Sequence, residues 1–302
     1  MYLTGFADEA ADDIDGQIRA TKELGWKHIE ARGVHGETIH DLPDAEFDSV
    51  CEKLAAAGVQ VNCLGSSIAN WGKSITAPFQ ETLDVVDRSI PRMHKLGAKL
   101  VRIMSYAIIQ DRPPDDQMAE ERFRRLREIV RRFGDAGITV VHENCMNYGG
   151  MGWPFTLELL ENVPGLKLVF DTGNPVGTPD YRGPDPHARQ SSWDFYRHVK
   201  DHIAYIHIKD GRFVRDIPGA TFPEAEYVWP GEGDGDVKRV VKDLLDSGYD
   251  GGFSMEPHLT VVFHDPSVQT QADARFASYL EYGRRFMKLL ADVGHATKLP
   301  AS

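Results

Sequence analysis

Short apolar, β-branched runs alternate eight times along this chain with longer segments whose apolar residues recur every three or four positions. Few folds satisfy that alternation. The runs cover residues 2–6, 28–31, 60–64, 100–104, 139–143, 167–171, 204–208 and 252–256. Between them the pattern predicts amphipathic helices, with stripes such as Leu83, Val86, Ile90 and Met93, Phe123, Leu126, Val130 and Phe133, or Phe276, Leu280, Met287 and Leu290. Glycine recurs where helix should turn into strand, in KELGWKH, AAAGVQV, KLGAKLV, DAGITVV and DSGYDGG, as expected of left-handed helix C-termini.

Parallel strands need covering crossovers, and closing the sheet removes its edges, so eight such units predict a single (β/α)8 TIM barrel over residues 1–302. The runner-up, an open doubly wound sheet, would carry a glycine-rich phosphate loop after its first strand. GFADEA offers acids there instead. Stretches rich in Pro and Asp around 108–116 and 177–191 read as long βα loops. They follow the fourth and sixth strands, on the face where barrels bind substrates.

Asp and Glu outnumber Lys and Arg by 46 to 34, a net charge of −12, which disfavours nucleic acid and anionic membranes as partners. The acidic N-terminus MYLTGFADEA does not read as a signal peptide, and no stretch approaches membrane-spanning length, so a cytoplasmic location is expected. Three cysteines, Cys51, Cys63 and Cys145, form no CxxC pair, and no disulfide is expected.

The strongest chemical signal lies in TVVHENC, KLVFDTGN, YIHIKD and GFSMEPH, which end four consecutive apolar strands in Glu143, Asp171, His207 and Glu256. Charges leaving water at such positions are costly unless paired, and a bound cation is the natural compensation. The competing reading is a metal-free, salt-bridged acidic pocket. Three carboxylates and one imidazole favour Mn²⁺ or Mg²⁺, with Co²⁺ or Zn²⁺ also compatible. Strand parity puts Lys209 beside His207 and His258 beside Glu256, as substrate contacts or partners of a neighbouring acid, while His142 faces away from Glu143 into the core. Trp71 suits stacking on a sugar face or simple packing, and Arg102 and Tyr106 are further pocket candidates. Cys145 has no base beside it in sequence to make it a nucleophile. GEGDGD lacks the spacing of an EF-hand and reads as a glycine loop leading to a helix cap at Asp236.

The motifs HEN, FDTGN, HIKD and SMEPH, with PGEGDGD between the last two, resemble those of the xylose isomerase-like barrel superfamily, in particular its sugar phosphate isomerase/epimerase group. The N-terminal half matches only in rhythm. The resemblance implies one divalent ion, Mn²⁺ first, held by Glu143, Asp171, His207 and Glu256, with Glu143 and Glu256 also serving as acid and base. An ion chelated by a substrate carbonyl and adjacent hydroxyl acidifies the intervening C–H and stabilises the enediolate. Proton return to the opposite face epimerises, return to the neighbouring carbon isomerises, and loss of a β-substituent makes the enzyme a lyase. Asn174 stands where many relatives have histidine, and no DxH follows HIKD, which together with the net charge argues against the trinuclear zinc endonuclease branch.

The leading expectation is a metal-dependent isomerase or epimerase of a ketose or related polyhydroxy carbonyl compound. Its alternatives are a dehydratase or lyase of a keto-inositol or 3-keto glycoside, and a non-catalytic sugar-binding barrel. Lys209, His258, Trp71, Asn174 and Arg212 are the expected substrate contacts, with Lys73, Arg182 and Arg212 available to a phosphate. A homo-oligomer is compatible with the sequence, though no helix stripe is decisively apolar.

Overall fold

A computed structural model describes residues 1–185, 187–262, 265–269 and 271–295. Eight parallel strands form the barrel: β1 (Tyr2–Gly5), β2 (His28–Ala31), β3 (Gln60–Gly65), β4 (Leu100–Ile103), β5 (Thr139–Glu143), β6 (Lys167–Asp171), β7 (Ile203–Ile208) and β8 (Gly252–Met255). Each pairs with its neighbours in sequence, β8 pairs with β1, and a parallel bridge between Phe6 and Glu30 links β1 to β2. Three strands coincide with the sequence expectation and the other five differ by one residue at one end.

Helices α1 (Ile14–Glu23), α2 (Asp44–Ala57), α3 (Phe79–Leu96), α4 (Ala119–Asp135), α5 (Trp153–Asn162), α6 (Ser192–Val199), α7 (Val237–Asp246) and α8 (Ala272–Asp292) follow the strands in turn. Their apolar stripes reach the core: Val86, Met93, Phe123, Leu126, Phe133, Leu280 and Leu290 are all buried. Gly25, Gly58, Gly97, Gly137 and Gly248 take positive φ between 67° and 88°. These five glycines are those of the αβ junctions, where a Cβ would be strained. Among the described residues no helix is long and apolar enough to cross a membrane.

The barrel departs from plain alternation after β7. There Gly211–Arg215 and Glu224–Tyr227 pair as an antiparallel hairpin, and the glycine loop follows. Asp236 stands at the N-cap of α7 as expected, but in the left-handed region at φ 51°, and its side chain accepts no cap bond. The loop serves Asp210 instead. Its carboxylate accepts the main-chain N–H groups of Gly211 (3.0 Å), Gly231 (2.8 Å), Gly233 (3.0 Å) and Gly235 (2.9 Å). A Cβ at position 233 would lie 2.4 Å from Asp210 Oδ1, so the repeated glycines let the backbone wrap a buried carboxylate.

Asp210→Ala is expected to lower the unfolding free energy by about 3 kcal/mol, since bonds to a charged acceptor are worth more than neutral ones and four main-chain donors, two of them buried, would lose theirs. Urea denaturation measures it; a loss under about 0.5 kcal/mol, the usual scatter of inert surface changes, would mean the loop holds itself.

Candidate metal centre

The C-terminal ends of β5 to β8 converge. One donor atom from each of Glu143, Asp171, His207 and Glu256 lies within 4.8 Å of every other, and all four residues are buried. Local structure fixes each one. Glu143 Oε1 accepts Asn174 Nδ2 (2.9 Å) and its Oε2 accepts Arg102 Nη1 (2.8 Å). Asp171 Oδ1 accepts the amides of Gly173 (2.8 Å) and Asn174 (2.6 Å), while Asn144 clamps the backbone of Asp171 through two bonds of 2.7 and 2.9 Å. Glu256 lies between Arg32 (2.9 Å to Oε1) and Lys209 (2.8 Å to Oε2). His207 Nε2 faces Glu30, at 3.0 and 3.2 Å from its two oxygens.

Charge at this centre is unbalanced. Six buried carboxylates, Asp8, Glu9, Glu30, Glu143, Asp171 and Glu256, are linked through ion pairs to three permanent cations, Arg32, Arg102 and Lys209, and to the imidazoles of His207 and His258. Among the described residues of this network, acids outnumber permanent cations by six to three. Burial lifts the Asp171 carboxyl to about 6, against the pull of Lys209. Burial acts the same way on Glu256, but Lys209, His258 and Arg32 outweigh it and hold that carboxyl well below its ordinary range. Burial opposes a charged imidazole at His207, yet Glu30 leads a group of acids that raises it to about 9. The centre draws in positive charge wherever it can find it.

Two buried atoms fit a cation directly. His207 Nδ1 and Asp171 Oδ2 have no hydrogen-bond partner. His207 Nδ1 stands 3.9 Å from Glu143 Oε1 and 4.0 Å from Asp171 Oδ2. These gaps are too long for hydrogen bonds and short enough for one ion to touch both sides, because nitrogen and oxygen bond transition ions at about 2.0–2.2 Å. Lys209 Nζ, 3.1 Å from Asp171 Oδ2, supplies one positive charge at this spot.

The centre opens into a cavity of about 220 Å³ whose lining includes Glu143, Glu256, Lys209, His258, Asn174 and Trp71. Four of the five residues expected to contact substrate, Lys209, His258, Asn174 and Trp71, thus face one space with the two glutamates. Arg102 lines it too. Arg212 does not: it lines a neighbouring cleft and pairs on the exposed side of the hairpin with Glu226 and the Glu232 carbonyl. Tyr106 is buried elsewhere, its hydroxyl donating to Thr82 (3.2 Å). Of the cations considered for a phosphate, Arg182 is held by Asp180 and Asp194, and Lys73 is exposed away from the lining. His142 is turned into the core against Ser105 (3.0 Å) and Asn147 (3.1 Å). Cys145 does line the cavity, but burial pushes its thiol far above the ordinary range, the opposite of an activated nucleophile.

Several residues of the site escaped sequence reasoning. Glu9 holds His258 twice, accepting its main-chain N–H (2.8 Å) and meeting ring Nδ1 (3.0 Å). This anchors a residue whose φ of 54° is rare outside glycine. Arg32 ties Asp8 and Glu9 to Glu256. Tyr227 and Phe222, from the hairpin, complete the wall, with Phe222 meeting Trp71 edge to face at 4.9 Å. The signal for Glu30 was available, a carboxylate inside the apolar run of β2; the hairpin aromatics gave none.

Comparison with known proteins matches residues 18–279 to a family described as xylose isomerase-like TIM barrel. A curated relative, inosose dehydratase of Lacticaseibacillus casei (strain BL23), is 24% identical over 296 residues, covering 79% of this chain and 89% of that protein. Among solved structures, the IolI protein with a bound zinc atom superposes with a TM-score of 0.69 at 15% identity, over 100% of both chains. A xylose isomerase-like TIM barrel protein from Mycobacterium smegmatis in complex with magnesium gives 0.63 at 18%, over 94% of this chain and 96% of that one.

The raised His207 makes metal-free stability depend on pH. With a folded value near 9 against an ordinary 6.5, its contribution is fully present below pH 6.5 and lost as pH rises through 9. Urea denaturation in EDTA should therefore show lower stability at pH 9.5 than at 6.5, and His207→Gln should flatten that difference; a slope unchanged by the substitution contradicts the assignment.

Proposed function

The chain belongs to the xylose isomerase-like TIM-barrel family, and on that premise we propose that it is a divalent-metal-dependent isomerase or epimerase of a small polyhydroxylated carbonyl compound. The observation that carries the reading is the meeting of four metal-competent donors within 4.8 Å, two of them glutamates that also line the 220 Å³ cavity. Glu143, Asp171, His207 and Glu256 would hold the ion. When bound, it supplies a Lewis acid that acidifies a C–H beside a carbonyl. Three oxygen donors and one nitrogen suit Mn²⁺ or Mg²⁺, with Mn²⁺ the ion proposed and Zn²⁺ and Co²⁺ able to substitute.

The remaining steps belong to side chains. Glu143 and Glu256 approach from β5 and β8, three strands apart, so one can take a proton from carbon while the other returns it. Arg102 and Asn174 fix the first carboxylate and Arg32 and Lys209 the second, so both are held aimed at the same space. The Lys209 ammonium and the His258 ring are placed to donate to substrate hydroxyls. Trp71 and Phe222 form an apolar wall suited to the C–H face of a sugar or cyclitol and to excluding water.

A second reading keeps the site and the first proton transfer but ends in loss of a β-hydroxyl or β-alkoxy group. The inosose dehydratase relatives favour it, and His258 or Lys209 would protonate the departing oxygen. A barrel that only binds sugar has no such support.

Incubation of the Mn²⁺-loaded protein in D₂O with ketoses, inososes and 3-keto glycosides tests this. One deuterium incorporated at carbon with mass otherwise conserved is the expected result; loss of water or an aglycone selects the lyase. Glu143→Gln and Glu256→Gln, assayed at saturating metal, should each slow exchange by about 10²–10⁴-fold. Turnover unaffected by both substitutions would rule out the acid–base assignment.

A further inference from the structure

Glu30 is a buried carboxylate that the chemistry above does not use. It stands in β2 between core residues Ile29 and Ala31 and is 1% exposed. A carboxylate there costs several kcal/mol unless its partners repay the lost hydration, so those partners say what it is for. Its Oε2 accepts the hydroxyls of Ser254 (2.6 Å) and Tyr205 (2.8 Å), and both its oxygens face His207 Nε2. The Tyr205 hydroxyl reaches Asn62 (2.9 Å), which reaches Thr4 Oγ1 (2.7 Å). Five strands thus contribute to one polar floor beneath the metal centre.

Two irregularities in the sheet build that floor. The β2–β3 register slips between Ile29 and Glu30, leaving Asn62 extra, and the β6–β7 register slips between Leu168 and Val169, leaving Ala204 extra. Extra residues of this kind re-aim the side chains beside them, here Glu30 on one side and Tyr205 and His207 on the other. An imidazole that gives its proton to a carboxylate through one nitrogen keeps a lone pair on the other. With Nε2–H directed at Glu30, the lone pair falls on Nδ1, the unpartnered atom that faces Glu143 and Asp171.

We propose that Glu30 is a positioning residue that accepts the Nε2 proton of His207, selects the tautomer and ring orientation whose Nδ1 faces the three ligand carboxylates, and so sets cation affinity without touching the cation. The inference rests on the metal reading above. Tyr205 and Ser254 orient Glu30 in turn, and the bond to His207 is the one that matters for the ion.

Co²⁺ titration followed by visible absorption, beside thermal melting in EDTA, separates positioning from mere packing. Wild type is expected to bind one Co²⁺. Glu30→Gln, whose amide can donate to Nε2 and favour the other tautomer, should bind about 10–100-fold more weakly and with an altered spectrum, while Tyr205→Phe, which spares the Glu30–His207 bond, stays within about threefold. Wild-type affinity and spectrum in Glu30→Gln would overturn the inference and leave the metal site standing; no Co²⁺ bound by wild type would overturn both. If Glu30→Gln does not fold, Glu30→Asp decides: its carboxylate is one methylene short of Nε2, so a loss of about tenfold supports the role and wild-type affinity overturns it.

Discussion

The structure turns on an excess of buried negative charge at the C-terminal mouth of the barrel. Each of Glu143, Asp171 and Glu256 would be expensive alone in so dry a place, and the molecule meets that cost with Arg32, Arg102 and Lys209. Among the described residues, three permanent cations face six acids. Burial first, and then the neighbouring acids Glu256 and Glu143, raise Asp171, while Glu30 and its fellow acids raise His207 against the effect of burial. A divalent ion bound between His207 Nδ1 and Asp171 Oδ2 would relieve both at once.

Everything around the centre serves to hold that charge in place. The glycine loop wraps Asp210, one residue after Lys209, and thereby anchors the end of β7 from which Lys209 reaches Asp171 and Glu256. Glu9 does the same for His258 from the other side of the barrel seam. The hairpin after β7 lines the cavity with Phe222, which meets Trp71, and with Tyr227, which meets His258.

Much of this was legible in the sequence because it contradicts its surroundings. Glu143, Asp171, His207 and Glu256 each interrupt or end an apolar run, and four such contradictions on successive strands converge once the strands are parallel and in register. The junction glycines were legible for a local reason, a left-handed φ that the helix end demands. Glu30 carries the same contradiction within HIEA, but it lies at mid-strand, below the C-terminal mouth of the barrel, and its meaning depends on a partner 177 positions away. Asp8, Glu9 and Arg32 sit in polar segments where charge is unremarked. The role of the glycine loop was missed because glycine repetition signals a turn without naming what the turn encloses, and Asp210 is 21 to 25 residues upstream of the loop amides it accepts. Arg212 is close in sequence to Lys209 yet projects from the hairpin, where strand parity with β7 no longer applies.

The central claim is that one divalent cation completes this charge-deficient centre. Crystals soaked in Mn²⁺ and measured at the manganese absorption edge test it most directly. The account predicts one anomalous peak per chain, at bonding distance of about 2.0–2.2 Å from Glu143, Asp171, His207 and Glu256, absent in Asp171→Asn. A peak elsewhere, or none with Lys209 still bridging Asp171 and Glu256 at saturating Mn²⁺, would contradict it and leave a self-neutralising salt-bridge pocket in its place.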